Sequence, residues 1–311
     1  MKRWLENPLL RYQLFGFALH RWKRQPWLYG AVAVGVGLTY LLVFQLVVFT
    51  QAPFSFALQL CLFVMCLTAP LMAYNLFSIE YEKQTWESLA LTRLTAREIL
   101  WGKWGAALAR VALLTLLALP LLIANRELHI DPFSPSRGRF TTILEPTYHL
   151  YVFVAGISLL CSWGVLLVSL GMWLSFVLKR TLTTASTLYA GQVFVLLLMP
   201  ILYLIFSEGE TGTQLISTVA SYKDSLSWWL YSLLTAEVIL YLNPFWAANE
   251  LTAIYWANSK WEASGWIRVD PSYAEGLIYL NWGFAQSALY LALALLFAGL
   301  TYRKLKYAWR K

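Results

Sequence analysis

Six stretches of the chain are apolar over the thickness of a bilayer. They run from about Trp27 to Phe49, Phe54 to Phe77, Lys103 to Ala124, Leu150 to Leu178, Ala185 to Phe206 and Tyr279 to Tyr302. Crossing roughly 30 Å of hydrocarbon takes about 20 mainly apolar residues. Lipid offers no partner to backbone N–H and C=O groups, so each stretch is expected to be a helix. None alternates with period two, which argues against a membrane barrel. The predicted fold class is an all-α polytopic membrane protein with six transmembrane helices in one membrane domain.

A seventh candidate, Leu226 to Leu242, is 17 residues long and carries Glu237 near its middle. A central acid costs about 2.5–3.5 kcal/mol on insertion scales. Orientation decides the matter. With six crossings and both termini in the cytoplasm, the outer segments hold Arg126, Arg137, Arg139, Lys223, Lys260 and Arg268, leaving 18 of the 24 Lys and Arg inside. The acids divide the other way, with Glu6, Glu80, Glu82, Glu87 and Glu98 inside and the other 11 outside. This Lys/Arg bias is what orients membrane chains. A seventh crossing would put the basic tail Arg303–Lys311 outside. The 226–242 segment is therefore expected to be a re-entrant or interfacial helix on the outer face, within the outer segment 207–278. Seven of the 16 Trp lie between Trp228 and Trp282, as suits an aromatic-rich interface.

Composition agrees. Of 311 residues 59% are hydrophobic and 13% charged, and mean hydropathy is +0.57. Soluble domains carry about a quarter charged residues. A cytosolic enzyme, a secreted disulfide scaffold and a disordered chain are excluded. The net charge of +8 sits at span ends, which favours basic cytoplasmic ends over nucleic-acid binding. Cys61, Cys66 and Cys161 lie in apolar runs and read as small hydrophobes. No cleavable signal peptide is expected, because the first 24 residues are polar and basic and no small-residue cleavage site follows.

Recognisable catalytic motifs are missing. Gly102-Lys103 is followed by Trp104, without the spacing of a P-loop. No His-Glu-x-x-His or Gly-x-Ser-x-Gly run occurs. His20, His129 and His149 are far apart, so no metal, catalytic or cofactor-binding role is assigned. The spans also lack a mid-membrane ionisable pair, which argues against an ion-coupled antiporter. Arg110 lies two turns past Lys103 and is read as a snorkelling anchor.

Two segments beside the spans carry structure of their own. Asn7-Pro8 is a helix-start pair. Leu10, Leu14, Ala18 and Trp22 then form one stripe, with Arg11, Arg21, Lys23 and Arg24 supplying charge. Residues 1–26 are expected to be an amphipathic helix on the inner membrane surface, broken from span 1 at Gln25-Pro26. Between spans 2 and 3, residues 78–103 form a cytoplasmic loop. Trp86, Leu89, Ala90 and Leu94 have helical spacing there. Thr95-Ala96-Arg97-Glu98 is a capping box that starts a new helix running into span 3. Pattern alone favours an ordinary connecting loop packed on its own chain.

The run Glu80-x-Glu82-x-x-Thr85-x-Glu87-x-Leu89-x-x-Thr92-x-Leu94-Thr95-x-x-Glu98-Ile99-Leu100-x-Gly102-Lys103 resembles the corresponding loop in permease subunits of type-2 ABC exporters. The match covers about 24 residues. Elsewhere the resemblance is one of layout, with Asn243-Pro244-Phe245 similar to a short Pro motif before the last span. Trp86 stands where the family commonly has a small residue, so a different local helix start is expected. The resemblance implies that the loop is a coupling helix. Glu80, Glu82, Thr85, Trp86, Glu87, Leu89 and Thr92 would then belong to the ATPase-coupling set, with Glu82, Thr85, Glu87 and Leu89 facing a cleft on a separate ABC ATPase. Arg97, Glu98, Gly102 and Lys103 complete the set, with Arg97, Glu98 and Lys103 bracing the joint to span 3. It further implies two permease copies, as homo- or heterodimer, with two ATPase subunits that hold the ATP and Mg, in a prokaryotic plasma (inner) membrane.

Small residues suit close helix contact: Gly102, Gly105, Ala106 and Ala109 in span 3, and Gly156, Gly164 and Gly171 in span 4. Packing within one subunit is favoured over a dimer seam. Pro70, Pro120 and Pro200 are expected to kink or end their helices. Two further functions stay open. One is a lipid-modifying membrane enzyme using Glu237, Glu250 or Asp270. The other is a non-catalytic membrane anchor for a complex.

Overall fold

The computed structural model describes residues 26–50, 54–86, 94–123, 145–198, 200–201, 243–248 and 282–308. The surface helix expected over 1–26, the outer segment 125–149 before residue 145, and the 226–242 helix lie outside them. So do Glu87, Leu89 and Thr92 of the loop, and Glu237, Glu250 and Asp270.

The described residues form helices and no strands. In order they are α1 (Pro26–Thr50), α2 (Phe54–Ala73), α3 (Ser78–Glu82), α4 (Ala96–Ile123), α5 (Glu145–Leu178), α6 (Thr181–Val193) with a π-helical continuation Phe194–Leu198, and α7 (Trp282–Ala308). Six of these helical stretches are long and apolar enough to cross a membrane: α1, α2 with α3, α4, α5, α6 with its continuation, and α7. The chain is thus a multi-pass helical membrane protein by length and composition, as the hydropathy pattern predicts.

Local sequence explains the helix ends. Pro26 opens α1, where its missing N–H costs nothing. Thr95 and Glu98 form the predicted capping box: Glu98 Oε2 accepts from Thr95 N and Oγ1, both at 2.9 Å, and Thr95 Oγ1 accepts from Glu98 N at 3.3 Å. α4 therefore starts at Ala96 and carries Lys103 well inside its length. α2 ends at Ala73, within a turn of Pro70. α6 starts at Thr181, earlier than hydropathy indicates. Its hydroxyls hide in the helix, with Thr184 donating to Arg180 O, Ser186 to Leu182 O and Thr187 to Thr183 O. Polar side chains satisfied this way are compatible with a membrane helix.

α5 is the hub, packed against α2, α4, α6 and α7. Its glycines are the approach points. A Cβ on Gly156 would meet the Phe54 ring at 3.0 Å, one on Gly164 would meet Val111 Cγ1 at 2.7 Å, and one on Gly171 would meet Ala73 Cβ at 2.5 Å. The small residues of span 4 serve packing inside one subunit, as expected. Hydrogen bonds add to it: Trp104 Nε1 donates to Ser169 Oγ at 3.0 Å, Trp163 Nε1 to Cys66 Sγ at 3.1 Å, and Ser158 pairs with Ser287 at 3.1 Å. α1 touches the rest through the stripe Tyr40, Val43, Phe44 and Val47. The rest of its apolar surface, from Val32 to Leu46, is open, as a lipid-facing helix requires. Cys61 and Cys66 are buried, Cys161 is half-buried, and all three are free thiols.

The contacts also fix directions. Phe54 lies by Gly156 and Ala73 by Gly171, so α2 and α5 run parallel. Ser287 pairs with Ser158, and Lys304 sits over Trp173, so α7 runs with them. Val111 lies by Gly164 while Trp104 reaches Ser169, so α4 is antiparallel. Thr181 meets Glu82 while Tyr189 reaches Leu67, so α6 is antiparallel as well. The α2–α4 loop, the α5–α6 turn and the end of α7 therefore share one end of the bundle.

Candidate functional site

The α2–α4 loop is built around a buried charge. Lys103 projects from the second turn of α4 and is 1% exposed, and it forms an ion pair with Glu80 of α3, itself 20% exposed. Its Nζ donates to Glu80 Oε1 and to Leu76 O, and sits 4.6 Å from the centre of the Phe77 ring. Leu76 O lies just past the end of α2, where a cation answers the partial negative charge of the last carbonyls. The ring face supplies further attraction. One lysine thus holds the end of α2, α3 and α4 together.

A second set of contacts ties the loop to α5. Phe77 N donates to Ser175 Oγ at 3.0 Å. Phe77, Tyr81, Trp86 and Phe176 form an aromatic cluster: Tyr81 stacks on Trp86 at 4.8 Å, and Phe176 meets the edges or faces of the other three at 5.4–5.9 Å. Aromatic pairs at these distances add about 0.5–1.5 kcal/mol each beyond area burial. Trp86 is therefore a packing residue. α3 ends in a Schellman turn, with Thr85 N donating to Glu80 O at 2.9 Å and Gln84 N to Tyr81 O at 3.3 Å. Gln84 takes the left-handed position, φ 55°, usually held by glycine.

The third tie runs to α6. Glu82 Oε1 accepts from Thr181 N at 2.7 Å and from Thr181 Oγ1 at 2.9 Å, and Oε2 accepts from the same hydroxyl at 2.9 Å. Arg180, the residue before α6, caps nothing with its side chain. The Glu82 carboxylate, 99 positions before Thr181, takes that role, placing negative charge at the helix N-terminus. Between α5 and α6, Lys179 adopts φ 57° and puts its Nζ 5.1 Å from the Tyr81 ring. Removing an N-cap costs about 0.5–2 kcal/mol. Glu82→Ala is expected to lower thermal stability by that amount in detergent melts. Thr181→Val, which removes the hydroxyl but keeps the N–H, is expected to cost less. Equal melting of Glu82→Ala and wild type would show the cap to be idle.

Of the sequence-derived set, Glu80, Glu82, Trp86, Glu98 and Lys103 meet at this end with stated partners. Thr85 and Arg97 are exposed there, and Gly102 is buried in α4 beside Lys103. Ser175, Phe176, Lys179 and Thr181 escaped sequence reading. The hydroxyl run from Thr181, directly after two bases, was the available signal of a helix start. Among the described residues no group of His, Cys, Asp and Glu could hold a metal ion.

Asn243-Pro244 starts a helical segment described over 244–248. Phe245 N donates to Asn243 Oδ1 at 2.9 Å and Ala247 N to Asn243 O at 3.2 Å. No protein-family model and no curated protein matches the chain.

Proposed function

We propose that the chain is the membrane-spanning subunit of a type-2 ABC exporter, moving its substrate with ATP hydrolysed on a separate subunit. The observation that carries this reading is the three-way joint. The α2–α4 loop is bonded to α4 through Lys103–Glu80, to α5 through Ser175 and the aromatic cluster, and to α6 through Glu82–Thr181. A force on residues 76–86 of this loop reaches three apolar helices through the bonds just named. That is the mechanical requirement for coupling to an ATPase, and the loop is the part whose sequence resembles the family.

The accompanying topology belongs to the same proposal. Both termini are cytoplasmic, the first 26 residues form the surface helix, and 226–242 is re-entrant or interfacial at the outer face. The parallel run of α5 and α7, with α6 opposed, supports it, because the connection between α6 and α7 then makes no net crossing. Two copies work with two ATPase subunits in a prokaryotic inner membrane, and ATP and Mg bind the ATPase.

The test is co-expression with an ABC ATPase encoded beside this chain. A stable membrane complex is expected, with ATPase turnover stimulated by the permease. Glu87→Lys, in the stretch whose sequence resembles the family's coupling loop, is expected to uncouple turnover while the complex still assembles. Failure to form any complex, or full coupling in Glu87→Lys, would overturn the reading.

A further inference from the structure

The last spanning helix has one packed face and one open face. α7 turns Tyr290, Ala294, Ala298, Thr301 and Leu305 inward and packs against α5. The opposite face is open from residue 288 onward and changes chemistry once along its length. Leu291, Leu295 and Leu296 are exposed apolar side chains, Leu295 by 63%. Gly299 follows, and then Tyr302, Arg303, Lys306 and Tyr307, all exposed. These last four share a face, since 302 with 306 and 303 with 307 are i, i+4 neighbours.

The dimensions match one leaflet. Leu291 and Arg303 stand about 18 Å apart along the axis at 1.5 Å per residue, and a leaflet contributes about 15 Å of hydrocarbon. An acyl chain laid on the leucines brings its phosphate level with Arg303 and Lys306. Gly299 lies between. Glycine weakens a helix interior, and a Cβ there would meet nothing within 4 Å, so no packing within the chain accounts for it. It leaves a notch where a lipid's glycerol passes from chain to headgroup. Charge selects the headgroup. Glu80 is paired with Lys103, Glu82 caps α6 and Glu98 closes the capping box, so the described acids of this end are engaged. Arg303 and Lys306 have no ion pair among the described residues. Lys304 turns the other way, 5.8 Å from the centre of the Trp173 ring. Two cations flanked by two phenol hydroxyls offer charge and hydrogen-bond donors to a phosphate, whereas a zwitterionic head would bring its own cation against them. An acidic protein segment would answer the bases but leave the leucines beside them unexplained.

We propose that this face of α7 is a binding site for one anionic phospholipid, with the phosphate between Arg303 and Lys306 and an acyl chain running past the Gly299 notch along Leu295 and Leu296. The inference rests on the helix face itself and does not depend on the transport reading.

The full chain in detergent would be titrated with palmitoyl-oleoyl phosphatidylglycerol and its bound lipid counted by native mass spectrometry. The first lipid is expected to bind about tenfold or more tightly than phosphatidylcholine. Arg303→Gln combined with Lys306→Gln is expected to weaken it about thirtyfold, from about fivefold for each base at a membrane surface. Lys179→Gln combined with Arg180→Gln removes the same charge from exposed positions at the same end, and is expected to leave the first binding step unchanged. Gly299→Leu keeps both bases and is expected to weaken binding by filling the notch. Glycerol phosphate, a headgroup without chains, is expected not to compete. Equal binding of phosphatidylcholine, an equal loss in the 179–180 variant, or unchanged binding in either α7 variant would overturn the site. So would displacement of the lipid by glycerol phosphate, or by a polyglutamate peptide, which would assign the surface to an acidic protein.

Discussion

Replacing Lys103 with methionine is expected to destabilise the protein by about 3–5 kcal/mol, the usual cost of leaving one partner of a buried ion pair alone. The loss has two sources. Glu80 loses its ion-pair partner and keeps only the weaker influence of Lys83, although its Oε2 is already buried without a hydrogen-bond partner among the described residues. Leu76 O loses its donor at the end of α2. The expected readout is a large fall in melting temperature or loss of a monodisperse peak on extraction. Glu80→Gln in the same chain is expected to recover much of the loss, because an uncharged pair no longer buries an unanswered charge. Near-wild-type melting of Lys103→Met would show that the pair does not hold the joint.

The second large effect is steric. Gly171 lies where α2, α5 and α6 converge, and its added Cβ would stand 2.5 Å from Ala73 Cβ and 3.0 Å from Leu188 Cδ1. Ala73 Cβ is fixed to its backbone, so helices must move apart. Overpacking of this kind costs about 1–3 kcal/mol. Gly171→Ala is expected to lower the melting temperature markedly, and Ala73→Gly in the same chain to restore it. Gly164→Ala is expected to cost less, because one of its two close neighbours is the flexible Met65 side chain, with Sδ at 2.9 Å. If Gly171→Ala melts like wild type, α2 and α5 do not meet as closely as described.

Both variants act on features whose visibility in the sequence differs. The capping box at Thr95 and Glu98 was legible because its partners are three residues apart. The helix start at Asn243-Pro244 was not read from the sequence, where Asn243-Pro244-Phe245 stood out only by its likeness to a Pro motif. The glycines of α5 were legible as small residues at helical spacing, but nothing local names Ala73 or Val111 as what they admit. The cap that Glu82 places on Thr181 is invisible in the sequence, since 99 positions separate them.

The sequence by itself determined that the chain is helical and needs a bilayer. It did so through six apolar stretches, and local signals marked several of their ends. These properties depend on neighbours within a few residues and on the solvent. The tertiary structure decided which charges are spent on each other, which helices run together, and that one loop grips three of them. Such facts arise when distant segments compete for the same carboxylate, carbonyl or space, and spacing along the chain does not encode the winner.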